Sequence, residues 1–407
     1  MTAPSPPSPP GPPAALAGVR VVDLSHLIAG PLCTMLMADA GAEVIKVEPP
    51  AGDRARYRGA ELARGDAGVL SGYHAAYNRG KQSLCLDLKQ PAGQQVLSQL
   101  LEQADVLVEN FSPGVLDRLG FGLAGLRTRF PSLVTVSIGV YPPDRRSGPA
   151  SLKRGLALVA EAESGIASLT GAPADFGFQL GDQVTGLYAY AAVMNALYHR
   201  SVTGEASHVD VSMIGSLIAA NASAVANYSL AGLLPSEFPN ALYGYFATSD
   251  GYIAVGLSTD EQWARLVAAV DDPVLRDAAG MDTYTGRNAQ RGLIESRVAR
   301  WAAGRSAAAA VAALDEARIP CGRANSVSDL VDSGDDAYLC TVSDAYGNQV
   351  RVPRNPIGQM FGVPLVPELG QHSQAILADV LHLDQAQIDR LVEDEVVRGG
   401  RKGDELA

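Results

Sequence analysis

One carboxylate in this chain stands where a reaction could use it. In LGDQVTG (180–186), Asp182 follows a glycine and precedes about a dozen mostly apolar residues. That is the position of an N-cap, whose carboxylate accepts a backbone N–H in the first helical turn. The helix dipole holds such a carboxylate ionised, an effect of roughly 0.3–1 kcal/mol when exposed and more when partly buried. The two roles are compatible, because an ionised, sterically fixed carboxylate beside a glycine is also a competent acyl acceptor.

Two loops invite a ligand. SHLIAGP (25–31) offers backbone N–H groups at a helix start, which favours an anion. It lacks GxGxxG, so a dinucleotide site has little support, and a tight strand-to-helix connection accounts for it equally well. ENFSPG (109–114) sets Asn110 and Phe111 ahead of a Pro-Gly turn, where Phe111 either packs into the core or flanks an adenine or a pantetheine chain. Lys89, Arg118 and Lys153 lie near such loops, each readable as a solvated surface charge or as a phosphate ligand. HExxH, GxSxG and P-loop motifs are missing from the sequence, and the six histidines are widely separated, so no metal site is expected. Among them only His26 falls on a loop of interest. Glu161 and Glu163, spaced i,i+2, belong to different faces of a helix.

The elements that must position these residues alternate. VRVVDL (19–24), EVIKVE (43–48), SLCLDL (83–88), DVLVEN (105–110) and the apolar run 133–138 read as strands. Between them lie helical patterns, one carrying Leu32, Met35 and Leu36 on a face and ended by Gly41, another opening at Pro91 with Val96, Leu97, Leu100 and Leu101 inward. Short helices are expected near 115–119 and 123–130, and a long apolar one over 182–200. Strands alternating with helices imply a parallel sheet, which binds ligands outside the carboxyl ends of its strands. Residues 238–257, rich in aromatic and β-branched types, open a smaller α+β region running to about Cys321, and 371–397 reads as helix.

Composition narrows the class. The chain has 407 residues, 47% apolar and 19% charged, as in a globular protein of two or three packing units. A net charge of −12 makes it a poor general binder of nucleic acid or anionic membrane. Cys33, Cys85, Cys321 and Cys340 show no CxxC spacing, which fits a reducing cytoplasm. Seven prolines in the first thirteen residues read as a loose polyproline-like tail rather than a secretory signal. The uncharged run 213–234 is long enough to span a bilayer, but Ser216, Asn221, Ser223, Asn227 and Ser229 interrupt it. One or two buried helices of a soluble enzyme are expected there.

Several strings occur together and in order: LAGVRVVDLSHLIAGP, GAEVIKVEPPAGDRAR, NRGKQSLCLDLK, ADVLVENFSPGVLDRLG, ESGIASLTG and LGDQVTGLYAYAAVMNALYHRSVTG. They resemble the class III CoA transferases, the family that also holds formyl-CoA transferase, carnitine CoA transferase and 2-methylacyl-CoA racemase. The resemblance runs from Leu16 to about Val397 and includes IPCGRANS (319–326). It implies an α/β protein: a large Rossmann-like CoA-binding domain with a parallel sheet, made from 14–225 and 326–407. A smaller inserted α+β domain over 226–325 and an interlocked homodimer are implied with it. It also places the catalytic aspartate on Asp182 and the contacts to coenzyme A, present as the acyl-CoA substrate, on His26, Ile28, Ala29, Leu86, Lys89, Asn110, Phe111, Arg118 and Lys153. The implied reaction moves CoA from a thioester to a free carboxylic acid through an aspartyl anhydride and an aspartyl-CoA thioester, with oxyanion donors expected among backbone N–H groups near Gly30 or Gly181.

This chain departs from the family in GLALVAEAESG (155–165). Transferases carry an aromatic and an acidic residue, and racemases a catalytic histidine, where it has Leu156 and Ala157. Glu161 stands where glutamine is usual, and no glycine-rich lid precedes Tyr243. Exchange of an α-proton needs a second acid/base group opposite Asp182, which Leu156 cannot supply. A CoA transferase is therefore the leading expectation, ahead of a racemase or a catalytically impaired CoA-binding homologue.

Overall fold

The computed structural model describes residues 14–63, 69–145, 155–169, 172–234, 242–277, 279–357 and 365–398. The Pro-rich tail and Lys153 lie outside them. The chain divides into two compact units, Met1–Ala222 with Asp336–Ala407, and Ser223–Asp335.

Five largely buried strands and one edge strand build the main sheet of the first unit: β1 (Arg20–Asp23), β2 (Glu43–Glu48), β5 (Gln82–Leu86), β6 (Val106–Glu109), β7 (Val134–Gly139) and the half-buried β8 (His208–Ser212). The short antiparallel pair β3 (Glu61–Ala63) and β4 (Val69–Ser71) stands apart. The sheet order is β5-β2-β1-β6-β7-β8, all parallel, so successive strands run outward in opposite directions from the β1/β6 boundary. In a doubly wound sheet this reversal leaves a crevice at the carboxyl ends of the two central strands. An additional two-residue strand, Val397–Arg398, pairs antiparallel with β5 at the edge. The α/β class and parallel sheet expected from the sequence are thus present.

Both faces of the sheet are covered, which explains why its strands are apolar nearly throughout. On one face α1 (Ala29–Asp39) and α7 (Leu180–Thr203) pack on Val21, Val44, Val106, Val108, Val134 and Val136 through Ala29, Cys33, Met37, Ala189, Val193 and Ala196. The other face carries α3 (Pro91–Glu102), with Val96, Leu97, Leu100 and Leu101 inward, together with Leu126 of α5 (Leu123–Arg129). Pro91 opens α3 as expected, its missing N–H being one that a helix start leaves unpaired. Gly41, at φ +94°, follows the last turn of α1, and a Cβ there would sit 2.2 Å from that of Ala14.

α1 and α7 are crossover helices, returning antiparallel to the strands they join, so both begin over the carboxyl edge of the sheet. Two other short helices frame that edge, α2 (Gly72–Asn78) and α6 (Ala157–Glu163), while α4 (Val115–Arg118) follows β6. Helices α1 and α7 meet at Gly186, where a Cβ would stand 2.8 Å from both the Ala29 carbonyl oxygen and Leu32 Cδ2.

In the second unit, β9 (Tyr243–Thr248), β10 (Gly251–Gly256) and β11 (Cys321–Arg323) form an antiparallel sheet in the order β11-β10-β9. Its core joins Phe246, Ile253 and Val255 to Trp263, Leu266, Val298 and Trp301 of the helices Asp260–Val270 and Arg291–Ala303.

Three expectations are corrected. The run 213–234 forms α8 (Met213–Ala220) and α9 (Ala222–Ala231), separated at Asn221, and α9 is not buried: only Ala224 is, while Leu230 is 89% exposed. Among the described residues, no helix is long and apolar enough to cross a membrane. Segment 371–397 is not one helix, because a left-handed His382 (φ +56°) separates the turns Ser373–Ala375 and Ile376–Val380 from the helix Gln385–Glu393. The long helix begins at Leu180 rather than Asp182, with Gln179 as its N-cap and no side-chain cap bond.

The contact at Gly186 yields a test. Gly186→Ala must spread α1 from α7 against a backbone atom, and is expected to lower stability by about 1–3 kcal/mol in urea unfolding.

Candidate active site

Asp182 is the third residue of α7 and is half-buried. Its carboxyl faces the start of α1, where the backbone N–H of Ala29, the first residue of that helix, favours the ionised form. Ile28, the N-cap of α1, makes no side-chain cap bond, so the open N-terminus of that helix faces a carboxylate from another helix. Two helix N-termini therefore converge on one side chain, each lending partial positive charge. Burial opposes them and, aided by the charge of Glu161, pushes the Asp182 carboxyl up to about 6 from its usual 3.8.

The surroundings come from distant parts of the sequence. Glu161 of α6 is buried, and its Oε1 accepts the Gly181 N–H at 2.9 Å. That N–H, expected as an oxyanion donor, is already engaged. Glu163 is exposed, as the i,i+2 spacing requires. Space at Gly181 is limited by Ala157, whose Cα and carbonyl oxygen would lie 3.4 Å from a Cβ there, and by Met213 Sδ at 3.2 Å. On the α2 side, Tyr73 donates to Gln179 Oε1 at 2.9 Å and Tyr77 meets the Gln183 amide, the two rings standing edge to face at 5.8 Å. Burial, the neighbouring Tyr77 and the Asp182 carboxylate together raise the Tyr73 phenol to about 12. Tyr73 and Tyr77 escaped the sequence reading; their i,i+4 spacing was the only signal.

Beneath lies a group of buried charges, also missed. Asp23 accepts from Lys81 Nζ at 2.9 Å and from Thr34 at 2.7 Å, and Lys81 also donates to the Pro31 carbonyl. Lys46 Nζ is 2.9 Å from Asp53 Oδ2 and donates to the Ser25 carbonyl at 2.8 Å. Arg56 grips Glu48 with two bonds of 2.7 and 2.8 Å. Although burial acts against ionisation, the neighbouring cations Lys81 and Lys46 leave the Asp23 carboxyl well below its ordinary value. EVIKVE looked like an alternating strand; Lys46 and Glu48 are both fully buried within it.

Of the other expected contacts, His26, Asn110 and Phe111 meet across the β1/β6 boundary. The Asn110 side chain accepts the His26 N–H and donates to the His26 carbonyl, each at 2.8 Å, and the His26 and Phe111 rings lie 5.6 Å apart. Burial holds the His26 imidazole below its ordinary value. Phe111 is half-buried against the core. Ile28, Ala29 and Leu86 have buried side chains, so any ligand meets their backbone. Lys89 and Arg118 are exposed and form no ion pair among the described residues, leaving both available to an anion. The arrangement is a carboxylate at two helix starts, with two exposed cations in the segments that follow β5 and β6 at the carboxyl edge of the same sheet, which suits acyl transfer from a ligand bearing phosphates.

The chain belongs to CoA-transferase family III, which it matches over residues 16–373. Its chemistry is that of an acyl-CoA:carboxylate CoA-transferase. It is 32% identical to the succinyl-CoA:mesaconate CoA-transferase of Haloarcula hispanica over 385 residues, 89% of this chain and 96% of that one. With the succinyl-CoA:glutarate CoA-transferase of Mus musculus it shares 31% identity over 400 residues, 94% of this chain and 90% of the other. The crystal structure of a CAIB/BAIF family protein from Brucella suis superimposes with a TM-score of 0.79 at 28% identity, covering 90% of this chain and 99% of that one.

The shifted carboxyl of Asp182 has a thermodynamic signature. The folded chain keeps its proton up to about pH 6, whereas the unfolded chain releases it near 3.8. Between those values the folded state binds more protons, so this group's contribution to stability falls as pH rises. Asp182→Asn, which never ionises, should exceed the parent in stability by about 1–3 kcal/mol at pH 7, the difference closing below about pH 4. Urea unfolding of both proteins across this range measures it.

Proposed function

We propose that Asp182 is the nucleophile of this CoA-transferase and is covalently acylated in each turnover. The observation that carries the reading is the placement of its carboxyl at the start of both α1 and α7, where the Ala29 N–H favours its ionised form. One carboxylate oxygen attacks the donor thioester carbonyl and the C–S bond breaks, giving a mixed anhydride and CoA thiolate. The thiolate attacks the aspartyl carbonyl, releasing the donor acid and leaving an aspartyl-CoA thioester. The acceptor carboxylate then displaces the thiolate to form a second anhydride. Attack of the thiolate on the acceptor acyl carbon completes transfer and regenerates the carboxylate.

Each attack at the aspartyl carbon passes through an oxyanion. The Ala29 N–H, at the start of α1 on the side of the carboxyl, is the donor assigned to it in this reading. His26, Ile28, Ala29, Leu86, Lys89, Asn110, Phe111 and Arg118 line the CoA site in this reading, with Lys153 a further contact beyond the described residues. Asn110 spends both its groups on the His26 backbone and so shapes the loop, while Lys89 and Arg118 meet phosphates. The relatives named above supply the substrate class, a succinyl-CoA-like donor with a small carboxylic acid as acceptor. We assign the working form as an interlocked homodimer in a reducing cytoplasm. Exposed Leu187, Tyr188, Tyr198 and Val202 along α7, and four cysteines without disulfides, support those two assignments.

Asp182→Ala should abolish transfer from succinyl-CoA to a panel of carboxylic acids while CoA binding by calorimetry persists; turnover by this variant would refute the role. Hydroxylamine trapping of the parent during turnover should mark the peptide containing 180–186 by mass spectrometry. Lys89→Ala and Arg118→Ala should each weaken CoA binding several-fold, an effect that shrinks as salt is raised.

A further inference from the structure

The loop between β1 and α1 contains a backbone feature that the chemistry alone does not explain. Leu27 stands at φ +65°, in the left-handed region that a side chain of this kind rarely adopts. Such a residue persists where its surroundings over-determine it. Here the Leu27 N–H is shared between the two oxygens of Asp53, at 3.2 and 3.3 Å. Asp53 is wholly buried, and its Oδ2 lies 2.9 Å from the wholly buried Lys46 Nζ. The same ammonium donates to the carbonyl of Ser25 at 2.8 Å. One ion pair therefore grips the loop on both sides of His26, by a carbonyl before it and an N–H after it. Two residues beyond Leu27 is Ala29, the first residue of α1, whose N–H lies on the side of the Asp182 carboxyl. Capping of the turn Arg54–Tyr57 through the Ala55 N–H accounts for one bond of Asp53, but not for its hold on Leu27.

We infer that Asp53, held by Lys46, is a positioning residue for the acyl transfer: it imposes the left-handed turn at Leu27 that aims the Ala29 N–H at the nucleophile. The inference rests on the reading of Asp182 as the acylated group. A backbone donor serves an oxyanion only if its direction is set in advance. Asp53 touches neither reacting atom and acts through the peptide chain.

The test uses the full chain and the Asp53→Asn, Leu27→Gly and double variants, assayed with succinyl-CoA and the best acceptor acid. Asp53→Asn keeps the shape and removes the charge. Its kcat should fall roughly tenfold or more while the KM for the donor changes little, since the lost interaction acts on the transition state. Adding Leu27→Gly should recover at least about threefold of that loss, because glycine takes a positive φ without a tether. A general loss of stability is told apart by urea unfolding of each variant, because the recovery expected here is in kcat under conditions where every variant is folded. Where Asp53→Asn leaves Lys46 buried without a partner and does not fold, Lys46→Met with Asp53→Asn removes both charges and is read in the same way.

Hydrogen exchange of the fragment containing 26–31 should quicken in Asp53→Asn with the rest of the chain unchanged. Parent-like kcat or exchange in the variant overturns the inference, as does a deficit that Leu27→Gly leaves untouched or failure of both charge-altered forms to fold. Exchange is measured without turnover. A parent protein that transfers CoA with no adduct on Asp182 would sink the nucleophile assignment and leave the tether itself measurable.

Discussion

Six ionised side chains lie in the interior beside the carboxyl ends of β1 and β2, where a single unpaired charge would cost several kcal/mol. Asp23, Glu48 and Asp53 balance Lys46, Arg56 and Lys81, and each charge is closed by backbone or hydroxyl partners as well as by its counter-ion. Removing one member strands its neighbours. The group need not add net stability over an apolar core of equal volume, since desolvation consumes most of the Coulomb gain. It supplies direction instead. The Ser25 and Pro31 carbonyls and the Leu27 N–H are held by charges, so the loop leaving β1 has one path, and α1 starts at one place.

That fixed start matters because Asp182 lies in opposing fields. Two helix N-termini favour its ionised form, while burial and Glu161 favour the protonated one, and the outcome is a carboxyl near 6. Such a group is ionised at neutral pH yet more basic than a solvated aspartate, and basicity helps an oxygen nucleophile. In the proposed acyl transfer, weaker burial would leave this carboxylate a poorer attacking group, and without the two helix starts it would be protonated through more of the pH range. The close passage of α1 over Gly186 joins these two requirements by bringing the helices near enough to share one side chain.

The sequence exposed the layers of the fold more readily than it exposed the surroundings of the site. Buried parallel strands are continuous apolar runs, so β1, β6 and β7 were legible from composition alone. A local rule, a glycine before a long apolar run, put Asp182 near a helix start, although the helix opens two residues earlier and Gln179 is its N-cap. The neighbouring Ala29 was not legible, since nothing local couples residues so far apart. Lys46 and Glu48 misled for a definite reason: alternation in EVIKVE is the mark of a half-exposed strand, and only the ion pairs with Asp53 and Arg56 and the Ser83 hydroxyl on Glu48 let both residues be interior. Exposed apolar side chains on α9 and the break at His382 were hidden likewise. The first looks like a core pattern, and the second needs a backbone angle that no residue type announces.

The edge strand Val397–Arg398 joins β5 from the far end of the chain. At a synthesis rate of roughly 5–20 residues per second, β5 leaves the ribosome tens of seconds before its outer neighbour exists. Throughout that interval the flank of the nascent sheet carries unpaired backbone donors and acceptors, which is the condition under which strands recruit other chains.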